Sequence, residues 1–383
     1  MKLLFVVTED WYFHSHRLPM ARAAQKAGFE VAVATNVKAC RAAIEAEGIT
    51  VHPLSLDRGS LNPFSGLRQI ARLAALYRRE KPDVVHHIAM KPVLFGSIAA
   101  WREAVPCVIN AFAGLGFLFA SDRPLAKMLR PVLIPLFRLV LKRGGNILLL
   151  QNPDDRALLE RLNLAPEGRT FVIRGSGVDL DAYKSSLLPA LRSEFICIYA
   201  GRMIDIKGLG TLQAAFAALA DTHPHIKLWL CGEPDAANPG SWTQDRLRAW
   251  SLQPNIVYKG RSRMTEIWPQ AHLALQPSWG GEGVPKSLLE AAACGRPILA
   301  SDVPGCREVV RPNENGLLIP PKDAAALAAA ILMLAEDPER LQAMAGRSRA
   351  IVSGDLSASG VAAQAERLYR LCRQEPDETQ RIH

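Results

Sequence analysis

Pro277-Ser-Trp-Gly-Gly-Glu-Gly-Val-Pro-Lys-Ser-Leu-Leu-Glu290, continuing as Ala291-Ala-Ala-Cys-Gly-Arg-Pro297, reads as a strand end, a glycine loop and a helix. His272–Gln276 is the apolar strand that feeds it. Gly280, Gly281 and Gly283 let backbone approach a ligand with no Cβ in the way. Pro285 suits the first position of a helix that stops at Gly295, with Pro297 behind it. A glycine loop entering a helix offers free N–H groups and about half a positive charge, so an anion such as a diphosphate fits there. Glu282 and Glu290, eight apart, cannot hold a phosphate, but they can accept hydrogen bonds from pairs of hydroxyls. The competing reading makes one a loop charge and the other a solvated helix residue.

Upstream of this stretch, the second half opens with an expected strand at Phe195–Ala200 and then Gly201-Arg-Met-Ile-Asp-Ile-Lys-Gly208. Arg202 and Lys207 flank the start of a helix running through Leu219. A guanidinium can grip a phosphate through two bonds and an ammonium acts as a point charge, so the pair reads as a phosphate clamp. It is not a P-loop, because Gly-Lys-Ser/Thr is absent. Further strands are expected at Lys227–Cys231 and Asn255–Tyr258, with turns at Gly232-Glu-Pro and Gly260-Arg261. Residues 323–347 read as Ala-rich surface helices.

The first half alternates expected strands (Leu3–Val7, Glu30–Ala34, Asp83–His87, Val105–Asn110, Ile147–Leu150) with helical runs near 17–27, 64–80, 91–103, 123–143 and 154–162. That alternation predicts a parallel sheet with helices on both faces. Ligands of such sheets sit beyond the carboxyl ends of the strands. His14, His16 and Arg17 lie at the corner after the first strand, and Lys91 lies just after His86 and His87. His16, Arg17 and Lys91 are candidate ligands for a charged group of a substrate. Of His86 and His87, which point in opposite directions, at least one is read as a core histidine.

The segment 121–145 carries Arg123, Lys127, Arg130, Arg138, Lys142 and Arg143 against one acid, among large apolar residues. Pro131 and Pro135 are expected to kink or split its helix. A basic and apolar helix of this kind suits an anionic membrane interface, through Lys127, Arg130, Arg138, Lys142 and Arg143; burial against the rest of the protein is the alternative. Gly175-Ser-Gly-Val-Asp-Leu-Asp-Ala-Tyr183 is turn-rich and reads as a linker. Its Asp179-Leu-Asp181 matches the short D-x-D metal pattern, but a lone match in a turn is weak and no metal ligand is assigned.

The chain has 383 residues, enough for two domains. Its net charge of +9 falls in residues 1–190, which hold 25 Lys/Arg and 16 Asp/Glu. That half is expected to meet something acidic. Seven cysteines without a CxxC pair point to free thiols in a reducing compartment. The first strand is too short for a signal-peptide core and no run of eighteen apolar residues exists.

The Glu282-to-Glu290 spacing, with Gly295-Arg-Pro-Ile-Leu-Ala-Ser-Asp-Val-Pro-Gly305 after it, resembles the Glu-x7-Glu signature of retaining glycosyltransferases of the GT4 family. Ser15-His-Arg-Leu-Pro19, Arg58-Gly-Ser-Leu-Asn-Pro-Phe64, Lys91 with Phe95-Gly-Ser-Ile-Ala-Ala100, and Gly114-Leu-Gly116 resemble a branch that extends saccharides on undecaprenyl diphosphate. The resemblance covers Met1 to about Arg373. It implies a GT-B fold: two Rossmann-like, doubly wound parallel-sheet domains facing across a cleft. The expected division is 1–175 for the acceptor domain, 176–194 for the linker and 195–356 for the nucleotide-sugar domain. A helix at 357–373 then crosses back to the first domain, and 374–383 is a tail.

The resemblance further implies a donor site of Gly201, Arg202, Lys207, Arg261, Glu282, Gly283, Val284, Pro285 and Glu290. Glu282, Lys207 and Arg202 take the catalytic roles, Glu282 on sugar hydroxyls and Glu290 on the ribose diol. His16, Arg17, Lys91, Gly114 and Gly116 are implied for the acceptor. The family often has a histidine where Ala111-Phe-Ala113 stands, so no catalytic histidine is carried over. The implied partners are a UDP-sugar (a GDP-sugar is compatible), a polyprenyl-diphosphate-linked saccharide and an anionic membrane surface on the cytoplasmic side, with no nucleic acid and no metal cofactor. The rival readings are a nucleotide-sugar epimerase or hydrolase of the same fold, and a basic membrane- or nucleic-acid-binding scaffold.

Overall fold

The computed structural model describes residues 1–56, 63–115, 124–191 and 194–373. The chain forms two compact units, Met1–Ser176 with the returning segment from Ser359, and Gly177–Ala358.

The first unit is built on a seven-stranded parallel sheet in the order β3-β2-β1-β4-β5-β6-β7. Its strands are β1 (Lys2–Glu9), β2 (Glu30–Asn36), β3 (Thr50–Pro53), β4 (Val84–Ile88), β5 (Cys107–Ala111), β6 (Asn146–Leu150) and β7 (Thr170–Val172). Successive side chains of β1 serve opposite faces. Leu3, Phe5 and Val7 join one apolar cluster, while Leu4 and Val6 join another. A strand covered on both sides must be apolar throughout, which explains the unbroken Leu-Leu-Phe-Val-Val run. The Ala358–Leu371 helix completes the unit: Val361, Ala365, Leu368 and Tyr369 enter the first cluster.

His86 and His87 are both fully buried on β4. His86 Nδ1 is 3.0 Å from the Tyr369 hydroxyl of the last helix. His87 bridges Asn110 Oδ1 and the Tyr77 hydroxyl, each at 2.9 Å. Gly96 closes over its ring, because a Cβ there would lie 2.5 Å from His87 Nε2. Both histidines are therefore structural. Burial pushes the His87 pKa down to about 4. The unfolded chain takes up this proton near pH 6.5, so between those values it binds more protons than the native state and stability falls as the pH is lowered. The loss is expected to reach about 3 kcal/mol by pH 4. Urea unfolding midpoints measured from pH 7 to pH 4 check this, and a His87→Gln variant should show a flatter profile.

The second unit repeats the plan with six parallel strands in the order β10-β9-β8-β11-β12-β13. They are β8 (Phe195–Ala200), β9 (Ile226–Cys231), β10 (Ile256–Gly260), β11 (Leu273–Gln276), β12 (Ile298–Ser301) and β13 (Gly316–Ile319). Cys197 and Tyr199 face one cluster, Ile198 and Ala200 the other. In each sheet the order reverses beside the first strand, between β1 and β4 and between β8 and β11. Ligands of doubly wound sheets bind at such switch points.

Three features depart from the sequence reading. Strands β3, β7, β12 and β13 were not anticipated; at three or four residues each they carry too little pattern to register. The Pro124–Leu141 helix is not split, since it continues for 18 residues through Pro131 and Pro135. Both prolines are exposed, so the carbonyls they leave without donors lie on the water side. Finally, the corners after β1 and β4 are wound as π-helices, Phe13–Arg17 and Pro92–Gly96, a widened geometry frequent at functional sites.

Candidate active site

The carboxyl edge of the second sheet gathers the expected donor residues. Gly201 and Arg202 follow β8, then a single 3-10 turn, Asp205–Lys207, leads through Gly208 into the Leu209–Leu219 helix. Lys207 reaches the loop after β11: its Nζ lies 2.6 and 2.7 Å from the two carboxylate oxygens of Glu282. Glu282 also accepts from the Ser278 hydroxyl at 2.5 Å and from Gln276 Nε2 at 3.2 Å. An ammonium has three N–H groups, and this pair uses two of them, so one stays available for a further acceptor.

Arg202 sits apart from that pair, with Nη1 2.6 Å from Asp235 Oδ2 on the turn after β9. Tyr199 stands between, donating its hydroxyl proton to the Arg202 carbonyl. Burial, with the Glu282 charge nearby, raises its pKa.

The glycine loop enters the Lys286–Ala293 helix with Pro285 as its cap residue, and no side chain caps its start. Pro285 thus precedes the helix instead of opening it. Glu290 lies one turn further in and is buried. Burial raises its pKa, against the opposing pull of the Lys286 ammonium at 3.8 Å and a hydrogen bond from the Tyr183 hydroxyl. Tyr183→Phe removes that donor and is expected to raise the pKa of Glu290 further. Any function requiring the Glu290 carboxylate would then fail at a higher pH than in the parent, visible as a shifted acid limb of the pH–KM profile. Superimposable profiles would show that Tyr183 does not tune it.

Three glycines hold these corners together. A Cβ on Gly208 would stand 2.0 Å from the Pro277 carbonyl oxygen, one on Gly232 1.9 Å from that of Gly201, and one on Gly305 1.6 Å from that of Gly283. The loop is also stapled to the Lys207 turn: the Trp279 N–H donates to the Ile206 carbonyl at 3.0 Å and its indole N–H to the Asp205 carbonyl at 2.7 Å. Gly280, by contrast, faces open space. Val284 is buried among apolar residues, and Arg261 is exposed after β10.

Sequence reasoning missed Asp235, Tyr183, Ser278 and Gln276. Gln276 and Ser278 carried a signal, since polar residues end a strand that is otherwise apolar. Asp179 of the D-x-D pattern accepts the backbone N–H groups of Asp181 and Ala182, the geometry of a turn.

In the first unit, the candidates for a substrate's charge follow β1, β4 and β5. His16 stacks on Tyr12 with centroids 4.4 Å apart. Arg17 is buried, its guanidinium held by the Met20 sulfur at 3.4 Å and the Tyr12 hydroxyl at 3.5 Å. Lys91 is half-buried and opens the second π-helix, one residue after Met90 and the strained Ala89, whose φ is 81°. Gly114 has φ 109°, and Gly116 lies outside the described residues, as do Arg58–Asn62.

On the Pro124–Leu141 helix, Met128, Val132, Leu136 and Leu139 are exposed along one face. Arg138 and Lys142 each have a second task. They donate to Leu162, Asn163 and its side chain, capping the end of the Pro153–Arg161 helix. Arg143 lies over the exposed Trp101 ring, 4.4 Å from its centroid. Lys127 is exposed and Arg130 half-buried. Among the described residues no helix is long and apolar enough to cross a membrane.

Two family models match this chain: glycosyl transferases group 1 over residues 194–337, and glycosyl transferase 4-like over residues 2–152. A relative from Campylobacter jejuni, N,N'-diacetylbacillosaminyl-diphospho-undecaprenol alpha-1,3-N-acetylgalactosaminyltransferase, is 26% identical over 349 residues, covering 88% of this chain and 90% of its own. The Escherichia coli UDP-Gal:alpha-D-GlcNAc-diphosphoundecaprenol alpha-1,3-galactosyltransferase is 24% identical over 291 residues, 73% of each chain. Among solved structures, Anabaena HepE in complex with UDP superposes with a TM-score of 0.75 at 19% identity, covering 97% of this chain and 100% of that one. Sucrose-phosphate synthase from Thermosynechococcus elongatus gives 0.77 at 20% identity, covering 97% and 99%. These likenesses show the fold. With one family matched in each half and that fold beneath both, this chain belongs to the GT4-type glycosyltransferases of the GT-B fold and is a hexosyl-transferring enzyme.

Proposed function

We propose that this enzyme transfers a sugar from a uridine diphosphate donor to a saccharide on a polyprenyl diphosphate, with retention at the anomeric carbon, in the building of a cell-surface glycan. The observation that carries the reading is the Lys207–Glu282 pair beside an uncapped helix start, at the carboxyl edge of the second sheet. Two relatives named for undecaprenyl-diphosphate-linked acceptors, and a neighbour holding UDP, support the choice of substrates.

As the glycosidic bond to the diphosphate breaks, negative charge grows on the leaving oxygens. Lys207, Arg202 and the first N–H groups of the Lys286–Ala293 helix neutralise it, with no metal required. Glu282 accepts hydrogen bonds from the donor sugar and holds Lys207 in place. Glu290 accepts from the ribose diol. The acceptor hydroxyl attacks the face that the diphosphate leaves and passes its proton to a departing phosphate oxygen. His16, Arg17 and Lys91 serve the acceptor side. The exposed apolar face of the Pro124–Leu141 helix, with Trp101 and the surrounding cations, rests on the anionic cytoplasmic leaflet.

The test is a panel of UDP- and GDP-sugars, each with and without a synthetic polyprenyl-diphosphate saccharide. Product that requires the acceptor and keeps the donor's anomeric configuration supports the reading; inversion, or sugar release at the same rate without acceptor, overturns it. Flotation with anionic and with neutral vesicles tests the membrane surface. Binding to both alike, or to neither, would count against it.

A further inference from the structure

We propose that Asp205 is a positioning residue for Lys207: its carboxylate takes the indole N–H of Trp242 and so ties the turn that carries the ammonium to the loop after β9. Its effect on turnover depends on Lys207 meeting the departing diphosphate, as in the function proposed above. Lys207 stands on one short turn, Asp205–Lys207, between Ile204 in extended backbone and Gly208 at φ 81°. Two bonds close that turn, from the Lys207 N–H to the Ile204 carbonyl at 3.0 Å and from the Gly208 N–H to the Asp205 carbonyl at 2.9 Å. A single turn is unfavourable to form alone, so bonds from outside must hold it.

Asp205 makes three of those bonds. Its N–H donates to the Gly240 carbonyl at 2.8 Å, its Oδ1 accepts the Trp242 indole N–H at 2.7 Å, and its carbonyl accepts the Trp279 indole N–H at 2.7 Å. The first two reach the loop after β9, and the third reaches the loop after β11 that carries Glu282. Asp205 is exposed, so these bonds fix its place and packing does not. Trp242 is the opposite case. Its side chain is buried, with the Arg246 guanidinium carbon 3.4 Å from its ring centroid. A buried N–H left without an acceptor is costly, which pins the Asp205 carboxylate where it is. Backbone bonds pair Met203 with Glu233 and with Trp242 and stop at Asp205, so side chains set the direction in which the turn leaves that pairing.

That direction matters because Lys207 Nζ has to meet both Glu282 oxygens, at 2.6 and 2.7 Å, and still present an N–H to the leaving group. Misplacing such a group by about 1 Å can cost about 10²-fold in rate. Trp250 offers a comparison within the same unit. It is buried, with its ring centroid 5.5 Å from that of Trp242, yet its indole N–H has no hydrogen-bond partner among the described residues. One indole is bonded to the Lys207 turn, and its neighbour supplies volume.

The experiment measures kcat and acceptor KM of the full chain carrying Asp205→Ala, Asp205→Asn, Trp242→Phe or Trp250→Phe. Asp205→Ala and Trp242→Phe should each lower kcat, by up to about 10²-fold, with acceptor KM unchanged. The two together should be no worse than either alone, since both remove one bond. Asp205→Asn keeps an oxygen for the indole and should restore most of the rate, and Trp250→Phe should leave kcat unaltered. In a Lys207→Ala background, Asp205→Ala should lower kcat no further. An unaltered kcat for Asp205→Ala, an Asparagine variant as slow as the alanine one, an equal loss from Trp250→Phe, or a further loss in the Lys207→Ala background would each overturn the assignment. Lys207→Ala alone tells the two readings apart: if it leaves kcat unaltered, the role of Lys207 fails, whereas a slow Lys207→Ala beside a fast Asp205→Ala removes only the positioning role. Should Trp242→Phe fail to fold, the two substitutions at exposed Asp205 still decide the matter.

Discussion

Replacing Lys207 by alanine is expected to lower kcat by about 10²–10³-fold, the usual effect of removing one preorganised donor from a developing negative charge. KM for the acceptor should stay within a factor of a few. The reason lies in timing: the ammonium meets most of the charge only as the diphosphate departs, so its loss weakens the transition state more than the ground state. The substitution also strips Glu282 of its counter-ion, leaving Ser278 and Gln276 as its described donors. Lys207→Arg separates the two effects. It keeps the charge and the pairing but changes the shape, so partial recovery of kcat is expected. Steady-state kinetics at saturating donor checks both variants, and an unaltered kcat for Lys207→Ala would remove the chemical role assigned to this residue.

Gly305→Ala is the second large effect expected, and it arises without touching any charged group. Its Cβ would be driven to 1.6 Å from the Gly283 carbonyl oxygen and 3.2 Å from the Glu282 Cβ. A backbone oxygen cannot rotate out of the way as a side chain does, so the loop carrying Glu282 must shift. Overpacking of this kind costs about 1–3 kcal/mol. The melting temperature should fall, and donor KM should rise as the Lys207–Glu282 pairing is displaced. Gly280→Ala is the matched control, because nothing lies within 4 Å of a Cβ there. Calorimetry and donor titration on the two variants should differ sharply, and similar behaviour would show that the contact between the loops does not set the site.

Much of the fold could be read from the chain in order. Short unbroken apolar runs separated by helical stretches point to parallel strands covered on both faces, and β1, β4, β8 and β11 were legible from their own residues. The edge strands β3 and β13 were not, because four residues such as Thr50-Val-His-Pro53 carry no pattern that a loop could not also show. The π-helices escaped for a different reason. Phe13–Arg17 and Pro92–Gly96 differ from an α-helix only by a wider turn, which side-chain chemistry does not announce.

For the site, local sequence determined which groups exist: a loop with glycines, a helix start behind it, two cations after β8 and two glutamates eight apart. Such features are short-range, dictated by backbone sterics within a few residues, so they survive reading in one dimension. Only the tertiary structure decided which of them meet. Lys207 and Glu282 are 75 residues apart and bond because β8 and β11 are neighbours in the sheet. Arg202 turns to Asp235 because β9 lies on the other side of β8. The glycines at 208, 232 and 305 make room for the backbone of another strand's corner, a contact that nothing in their own stretches announces. Strand order, a property of the whole sheet, selects the partners, and no local stretch of residues contains it.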